Sequence, residues 1–107
     1  MEKRTVALDK NLLSEIVKII SRQRKVTKLV LFGSRVTKQV KKTSDIDLAV
    51  FGGGLSDRDL SLIRDELEET VKTPLKFDVV HFDTLSKENL KENILKEGVI
   101  LYESQAP

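Results

Sequence analysis

Apolar residues recur along the chain in two patterns, one typical of helices and one typical of strands. After Asp9 and again after Ser56, leucine, isoleucine and valine return every three or four residues, as on one face of an amphipathic helix. Elsewhere the apolar residues form short runs or alternate with polar ones, which is typical of strands. Four such strands are predicted, over residues 26–32, 45–51, 76–82 and 99–102. The order of elements predicts an α/β fold, a mixed sheet of about four strands with helices packed against it.

Local signals predict where the helices begin and end. Asp9 or Asn11 is a suitable N-cap for the first helix, and Ser56 for the second. A last helix is predicted to open at Ser86, with flanking leucines as a hydrophobic staple, and to close at Gly98.

The predicted first strand leads directly into a glycine turn. Leu29–Phe32 is an unbroken apolar run that suits a strand buried on both faces, and it stops at Gly33. Gly33-Ser34 then opens a turn or a short helix that reaches about Val40. Backbone N–H groups of Ser34 and Arg35 at such a helix start would face an anion.

Two aspartates begin the second strand. Asp45 and Asp47 alternate with Ile46 and Leu48, so both carboxylates lie on one face with Cα atoms roughly 6.5 to 7 Å apart. Like charges at 4 Å cost about 4 kcal/mol near a protein surface. The pair must therefore either be neutralised by lysine or arginine or bind hard divalent cations, which prefer carboxylate oxygen.

Charge is distributed unevenly along the chain. The 107 residues carry a net charge of only +2, yet no acidic residue occurs from Ser21 to Ser44, where eight lysines and arginines surround the glycine turn. This pattern favours an anionic ligand, either nucleotide phosphates or a nucleic-acid backbone. Arg35 follows the turn directly and is expected to reach a phosphate. Nucleic-acid binding is possible but not favoured, because Phe32 is the one aromatic residue in the segment and is assigned to the core.

The rest of the composition indicates how many domains and which cellular compartment to expect. Residues 1–107 are expected to form one domain. The chain has no cysteine, no N-terminal apolar signal region and no apolar run near the 18 or so residues of a membrane span, so a cytoplasmic protein is expected.

The glycine turn and the aspartates together resemble a known family signature. Gly33-Ser34, ten intervening residues and then Asp45-x-Asp47 are similar to the motif of the polymerase β-type nucleotidyltransferase superfamily. The short chain is similar to its minimal nucleotidyltransferases, the MNT proteins often found beside HEPN partners. That pattern expects a third aspartate inside a later apolar strand, and Asp78 fits. If this strand lies parallel to the second strand, Asp78 can share a site with Asp45 and Asp47.

The resemblance implies a reaction and a set of roles. Asp45, Asp47 and Asp78 would hold two Mg²⁺ ions, and Asp78 could also accept the acceptor's proton. Gly33, Ser34 and Arg35 would orient the triphosphate of ATP while AMP is transferred to a hydroxyl. Positioning and electrostatics would supply the catalysis without a covalent nucleophile.

The resemblance also implies a partner. Larger superfamily members have a further domain that helps bind the acceptor, for which 107 residues are not expected to leave room. A HEPN-type toxin RNase would supply that surface, with this chain as its antitoxin, acting by complex formation and by adding AMP to a toxin tyrosine. Two alternatives stay open: a catalytically silent antitoxin that only binds its partner, and a small-molecule nucleotidyltransferase acting on, for instance, an antibiotic hydroxyl.

Three other features are given structural interpretations. His81 is predicted to face away from Asp78 and to be structural. Asp83 is expected to cap a turn rather than bind metal. The glycines at 52–54 are predicted to form the exit loop of the second strand, with close passage of substrate as the alternative.

Overall fold

The computed structural model describes residues 8–36 and 45–104. The α-helices, in chain order, are α1 (Lys10–Ser21), α2 (Asp57–Thr70) and α3 (Glu88–Glu97). The strands are β1 (Lys28–Phe32), β2 (Ile46–Phe51), β3 (Phe77–His81) and β4 (Val99–Glu103). Short 3₁₀ turns follow β1 at Gly33–Arg35 and β3 at Phe82–Thr84.

The four strands form one mixed sheet in the order β3-β2-β1-β4. The central strand β1 is antiparallel to β2 and to β4, and β2 is parallel to β3. The parallel pair is joined through α2, as a parallel connection requires a crossover. This arrangement confirms the predicted α/β fold with a mixed four-stranded sheet.

Helices cover both faces of the sheet. Helices α1 and α2 bury one face through a large cluster of aliphatic side chains that includes Leu29, Leu48 and Ile63. Helix α3 covers the other face with a smaller cluster around Val30, Ala49 and Ile94. Because neighbouring strand residues alternate between these two clusters, the faces are set by the period-two pattern of the sequence. No helix within the described ranges is long and apolar enough to cross a membrane.

Two of the three predicted helix starts are confirmed. The carboxylate of Asp9 accepts a hydrogen bond from the backbone N–H of Asn11 at 2.7 Å. Ser56 and Asp59 form a capping box, in which each side chain accepts from the backbone N–H of the other. These bonds satisfy N–H groups that have no partner inside the helix.

The prediction of Ser86 as the N-cap of the last helix is wrong. Helix α3 begins at Glu88, its cap position is Lys87, and no side chain caps it. Leu85 and Leu90 both pack against the small core cluster, so the packing of this segment on the sheet determines where the helix begins.

Gly98 ends α3 as predicted, but for a reason that the sequence does not reveal. Its φ is −69°, so a left-handed conformation is not required. A Cβ atom at this position would lie 2.4 Å from both the carbonyl oxygen of Ile94 and the Cγ1 of Val30. Glycine is needed here because the chain passes directly over β1.

The segment after β1 is partly described. Gly33–Arg35 forms a single 3₁₀ turn, closed by a bond from the N–H of Val36 to the carbonyl of Gly33 at 3.1 Å. The rest of the predicted helix up to Val40, and the lysines of the basic segment beyond it, lie outside the described residues.

Candidate active site

Three aspartates meet at one end of the sheet. Asp47 lies near the start of β2 and is directly paired with Asp78 on β3. Asp45 stands immediately before β2, two residues from Asp47. Paired residues on neighbouring strands project to the same side, and residues two apart along a strand do so as well. The register therefore brings the three carboxylates to one face, as the sequence predicted.

The three carboxylates differ in exposure. Asp45 and Asp78 are exposed, whereas Asp47 is partly buried between its neighbouring strands. Burial is the largest of several causes that together raise the pKa of Asp47 to about 6; the others are the negative charges of Asp78 and Asp45 and a hydrogen bond with Asp78. Among the described residues, every cause of this shift raises the pKa of Asp47, so a cation bound there would be favourable.

A divalent cation is suited to this charge. Carboxylate oxygens are the ligands that Mg²⁺ prefers, and a cation at Asp47 would relieve the repulsion from its two neighbours. Within residues 8–36 and 45–104, however, no three acidic, histidine or cysteine side chains already converge on one metal position. Asp47 and Asp78 already share a hydrogen bond, so the exposed side chain of Asp45 would have to turn towards them for all three to hold one ion.

The glycine turn packs directly against Asp47. Phe32, the last residue of β1, pairs with Asp47, and Gly33 follows with a φ of +78°. A Cβ atom on Gly33 would lie 2.2 Å from Oδ2 of Asp47. Glycine is required at this position both for the positive φ and for the close approach to the carboxylate.

The structure places Arg35 in the glycine turn, where it is largely buried. It lies in the turn beside the carboxylates, but its side chain is only 7% exposed. The expected contact between its guanidinium and a phosphate stays a prediction.

Histidine and aspartate side chains at the opposite end of β2 have structural contacts. The buried His81 donates from Nε2 to the carbonyl of Gly52 at 2.6 Å, and its Nδ1 lies 3.3 Å from the hydroxyl of Thr84. Asp83 accepts a hydrogen bond from the N–H of Gly52 at 3.0 Å. These bonds hold the exit turn of β2 in place, in agreement with the structural roles predicted for His81 and Asp83.

A stacked aromatic pair at the end of β2 away from Asp47 was not predicted from the sequence. The rings of Phe51 and Phe82 are 4.3 Å apart between centroids, and the ammonium of Lys28 lies 4.5 Å from the Phe51 centroid. Phe51 is four residues after Asp47 and so shares its face. The pair joins the smaller core cluster at the end of the sheet away from the aspartates.

The fold and the site together define the class of the protein. A mixed four-stranded sheet that presents two aspartates on one strand, a third on its parallel neighbour and a glycine turn against them is the arrangement of a polymerase β-type nucleotidyltransferase. The family model described as "Polymerase beta, Nucleotidyltransferase" matches residues 14–106. The chain belongs to this family and is a nucleotidyltransferase.

Individual relatives agree with this assignment. The chain is 39% identical over 75 residues to a Methanocaldococcus jannaschii protein described as "Putative protein adenylyltransferase MJ0435"; the match covers 69% of this chain and 77% of the relative. Crystal structures of the toxin-antitoxin MntA-HepT and of a toxin-antitoxin with AMP-PNP have a similar fold. The first has a TM-score of 0.69 at 20% identity, covering 91% of this chain and 74% of the other. The second has a TM-score of 0.70 at 21% identity, covering 92% and 76%.

Proposed function

We propose that this nucleotidyltransferase transfers AMP from ATP to a hydroxyl group of a partner protein. The observation that carries the proposal is the register that pairs Asp47 with Asp78 while Gly33 packs against the Asp47 carboxylate. This places an acidic group suited to divalent cations beside a turn whose backbone a phosphate chain can approach closely. The relative described as a protein adenylyltransferase supports adenine as the base and a protein as the acceptor.

Asp45, Asp47 and Asp78 are the residues that would hold Mg²⁺. When bound, two such ions would neutralise the triphosphate and lower the pKa of the attacking hydroxyl. The raised pKa of Asp47 fits this role, because a carboxylate surrounded by negative charge gains most from a nearby cation. Asp47 would be a ligand to the ion together with the exposed carboxylates of Asp45 and Asp78.

The chain's own groups orient the donor and accept the proton. The N–H groups of Ser34 and Arg35 follow Gly33 and would hold the phosphates beside Asp47. In the reaction a bond forms between the acceptor oxygen and the α-phosphorus, and the bond from that phosphorus to the bridging oxygen breaks. Pyrophosphate leaves with the electron pair, and the proton of the hydroxyl passes to Asp78 and then to water. Alignment of the two oxygens at the phosphorus supplies the rate, so no covalent intermediate is needed.

We further propose that the acceptor belongs to a HEPN-type toxin RNase and that this chain is its cytoplasmic antitoxin. The related folds that are toxin-antitoxin complexes support a toxin partner, and the complex with AMP-PNP supports a nucleotide donor. A tyrosine of the toxin would receive the AMP. We also propose that residues 1–107 act as one domain.

Intact-mass spectrometry tests this proposal. The chain and its co-expressed partner are incubated with Mg²⁺ and ATP, beside the double variant Asp45→Asn, Asp47→Asn and the control Asp65→Asn, whose carboxylate is exposed on α2. A gain of about 329 Da on the partner with wild type and control, absent with the double variant, is the expected result. No gain in mass with wild type or any variant, while wild type and the double variant bind and silence the partner equally, would instead establish an antitoxin that acts by binding alone.

A further inference from the structure

Within residues 8–36 and 45–104, β3 forms the edge of the sheet next to the three aspartates. Among the described residues β3 pairs with β2 alone, on one side, and is the outermost strand of the sheet. The backbone N–H of Ile46 bonds to the carbonyl of Lys76 at 2.8 Å, which fixes the phase of the parallel ladder. By the alternation of such a ladder, residues 76, 78 and 80 turn their backbone groups to β2, and residues 77, 79 and 81 turn theirs outwards.

The outward backbone groups form a short row next to the face of the sheet that carries Asp47 and Asp78. Phe77 and Val79 present an N–H and a carbonyl, and His81 presents its N–H, since its carbonyl accepts from the Thr84 hydroxyl at 3.3 Å. An added strand would hydrogen-bond to this row and lie about 4.8 Å from β3. Its residue opposite Asp78 would project to the same face as Asp78 and Asp47.

A cavity of about 450 Å³ lies at the start of the same edge, on the face covered by α2. Its lining includes Val71, Leu75 and Phe77, with Glu68 and Lys76 at its rim. Side chains next to the one opposite Asp78 would project to this face, because successive residues of a strand alternate. An extended segment could therefore place one side chain at the aspartates and a neighbouring apolar side chain in the cavity.

We propose that the acceptor protein docks as an added β-strand on the open edge of β3, with its hydroxyl-bearing residue opposite Asp78 and an apolar residue beside it in the cavity. The proposal rests on the proposed function for the identity of the acceptor, and it adds the surface and the segment type that this acceptor must have. Backbone bonds to β3 would fix the register of the strand, so the hydroxyl is delivered to one position. The side chain in the cavity would then select which segments bind.

Val79 allows the edge to be blocked without breaking the sheet. Its N–H faces outwards, so Val79→Pro removes a bond to the added strand and none to β2, and an edge strand tolerates proline in that orientation. Val79→Ala is the matched control, because it also shortens the side chain but keeps the N–H. Thermal-shift measurements of ATP binding in the presence of Mg²⁺ test whether each variant keeps its donor site.

Two probes are used with ¹⁵N-labelled chain: the co-expressed HEPN-type protein, and a short synthetic peptide of alternating glutamine and valine with one central tyrosine. We expect exchange of the Val79 and His81 amide protons to slow by about tenfold or more with either probe. The amides of Asp78 and Val80 face β2 and serve as internal controls that are protected from the start. A peptide that is N-methylated on alternate residues should have no effect, since it cannot pair with the edge.

Transfer of AMP gives the second readout. We expect Val79→Pro to lose AMP transfer to the probe by about tenfold or more, while Val79→Ala and donor binding change little. Equal transfer by Val79→Pro and Val79→Ala, or unchanged exchange at Val79 and His81 with both probes, would overturn the strand-docking proposal. If wild type transfers no AMP and yet these two amides become protected, the docking proposal stands and the transferase proposal fails.

Discussion

Gly33 and Asp47 are so close that a Cβ atom on Gly33 would stand 2.2 Å from the Asp47 carboxylate oxygen Oδ2. The contact joins the two halves of the sequence motif, the glycine turn after β1 and the aspartates of β2. It exists because β1 and β2 are antiparallel, with Phe32 opposite Asp47. A ligand held by the turn is thereby held against the carboxylate as well.

Alanine at position 33 should damage both stability and transfer. The φ of +78° and the overlap with Asp47 force the turn or the carboxylate to move, so we expect a loss of about 1 to 3 kcal/mol in the free energy of unfolding. AMP transfer should fall by at least about a hundredfold, because the phosphates lose their alignment. Gly54→Ala is the control, since its Cβ would meet nothing within 4 Å. Denaturant unfolding and the mass assay report the two effects; equal behaviour of the two variants would contradict the role of the Gly33 contact.

Asp47 should make metal-free protein less stable as the pH rises. Its folded-state pKa of about 6 lies above its ordinary value of 3.8, so between these values the folded chain binds more protons than the unfolded chain. The free energy of unfolding should therefore fall as pH rises through this window and then stay lower, by roughly 1 to 2 kcal/mol after allowance for solvent screening. Asp47→Asn should remove the fall and be the more stable protein at pH 7. Urea unfolding in EDTA between about pH 4 and 8 measures this, with Asp65→Asn expected to keep the wild-type profile.

Magnesium should reverse that loss of stability. A cation that binds the folded chain alone raises the free energy of unfolding by about 3 kcal/mol at a hundred times its dissociation constant. We expect Mg²⁺ to raise the melting temperature of wild type at pH 8 and to flatten its pH dependence, because the ion takes the place of the protons. The double variant Asp45→Asn, Asp47→Asn should show no shift. A shift of equal size in the double variant would place the ion elsewhere.

Gly52 provides a test of the scaffold apart from the site. A Cβ at Gly52 would lie 2.2 Å from the carbonyl oxygen of Lys25, whereas at Gly53 the nearest atom would be 4.0 Å away. Gly52→Ala should therefore lower the free energy of unfolding by about 1 to 3 kcal/mol, and Gly53→Ala should change it little. Because the aspartates are at the other end of β2, AMP transfer below the melting temperature should be normal in both variants.

Much of the fold could be predicted from the sequence because its local signals agree with one another. The caps at Asp9 and Ser56, the apolar run before Gly33 and the alternation around Asp47 each give the same element boundary as the structure, to within a residue or two. The start of α3 could not be predicted in this way. Ser86 is a good cap in isolation, but the leucines on either side of it pack on the sheet, and this packing places the helix start after Lys87.

Part of the candidate site could be predicted from the sequence. The motif identified Asp45, Asp47 and Asp78 as candidates, because carboxylates inside apolar strands need either a basic partner or a cation. Burial of Arg35 could not be read from it, since the depth of a side chain depends on residues distant in sequence. The need for glycine at Gly98 was equally hidden, because the atoms that exclude a Cβ there include Val30 on another strand.

The sequence by itself determined the elements, the faces of the strands and the acidic motif, since these depend on residue type and on spacing along one segment. Tertiary structure decided the pairing of Asp47 with Asp78, the close contact of Gly33 with Asp47 and the outermost position of β3 among the described strands. The physical reason is that strand register and sheet order arise from hydrogen bonds between segments far apart in the chain. Periodicity within a segment fixes which way each side chain points, but only the assembled sheet fixes which side chains meet.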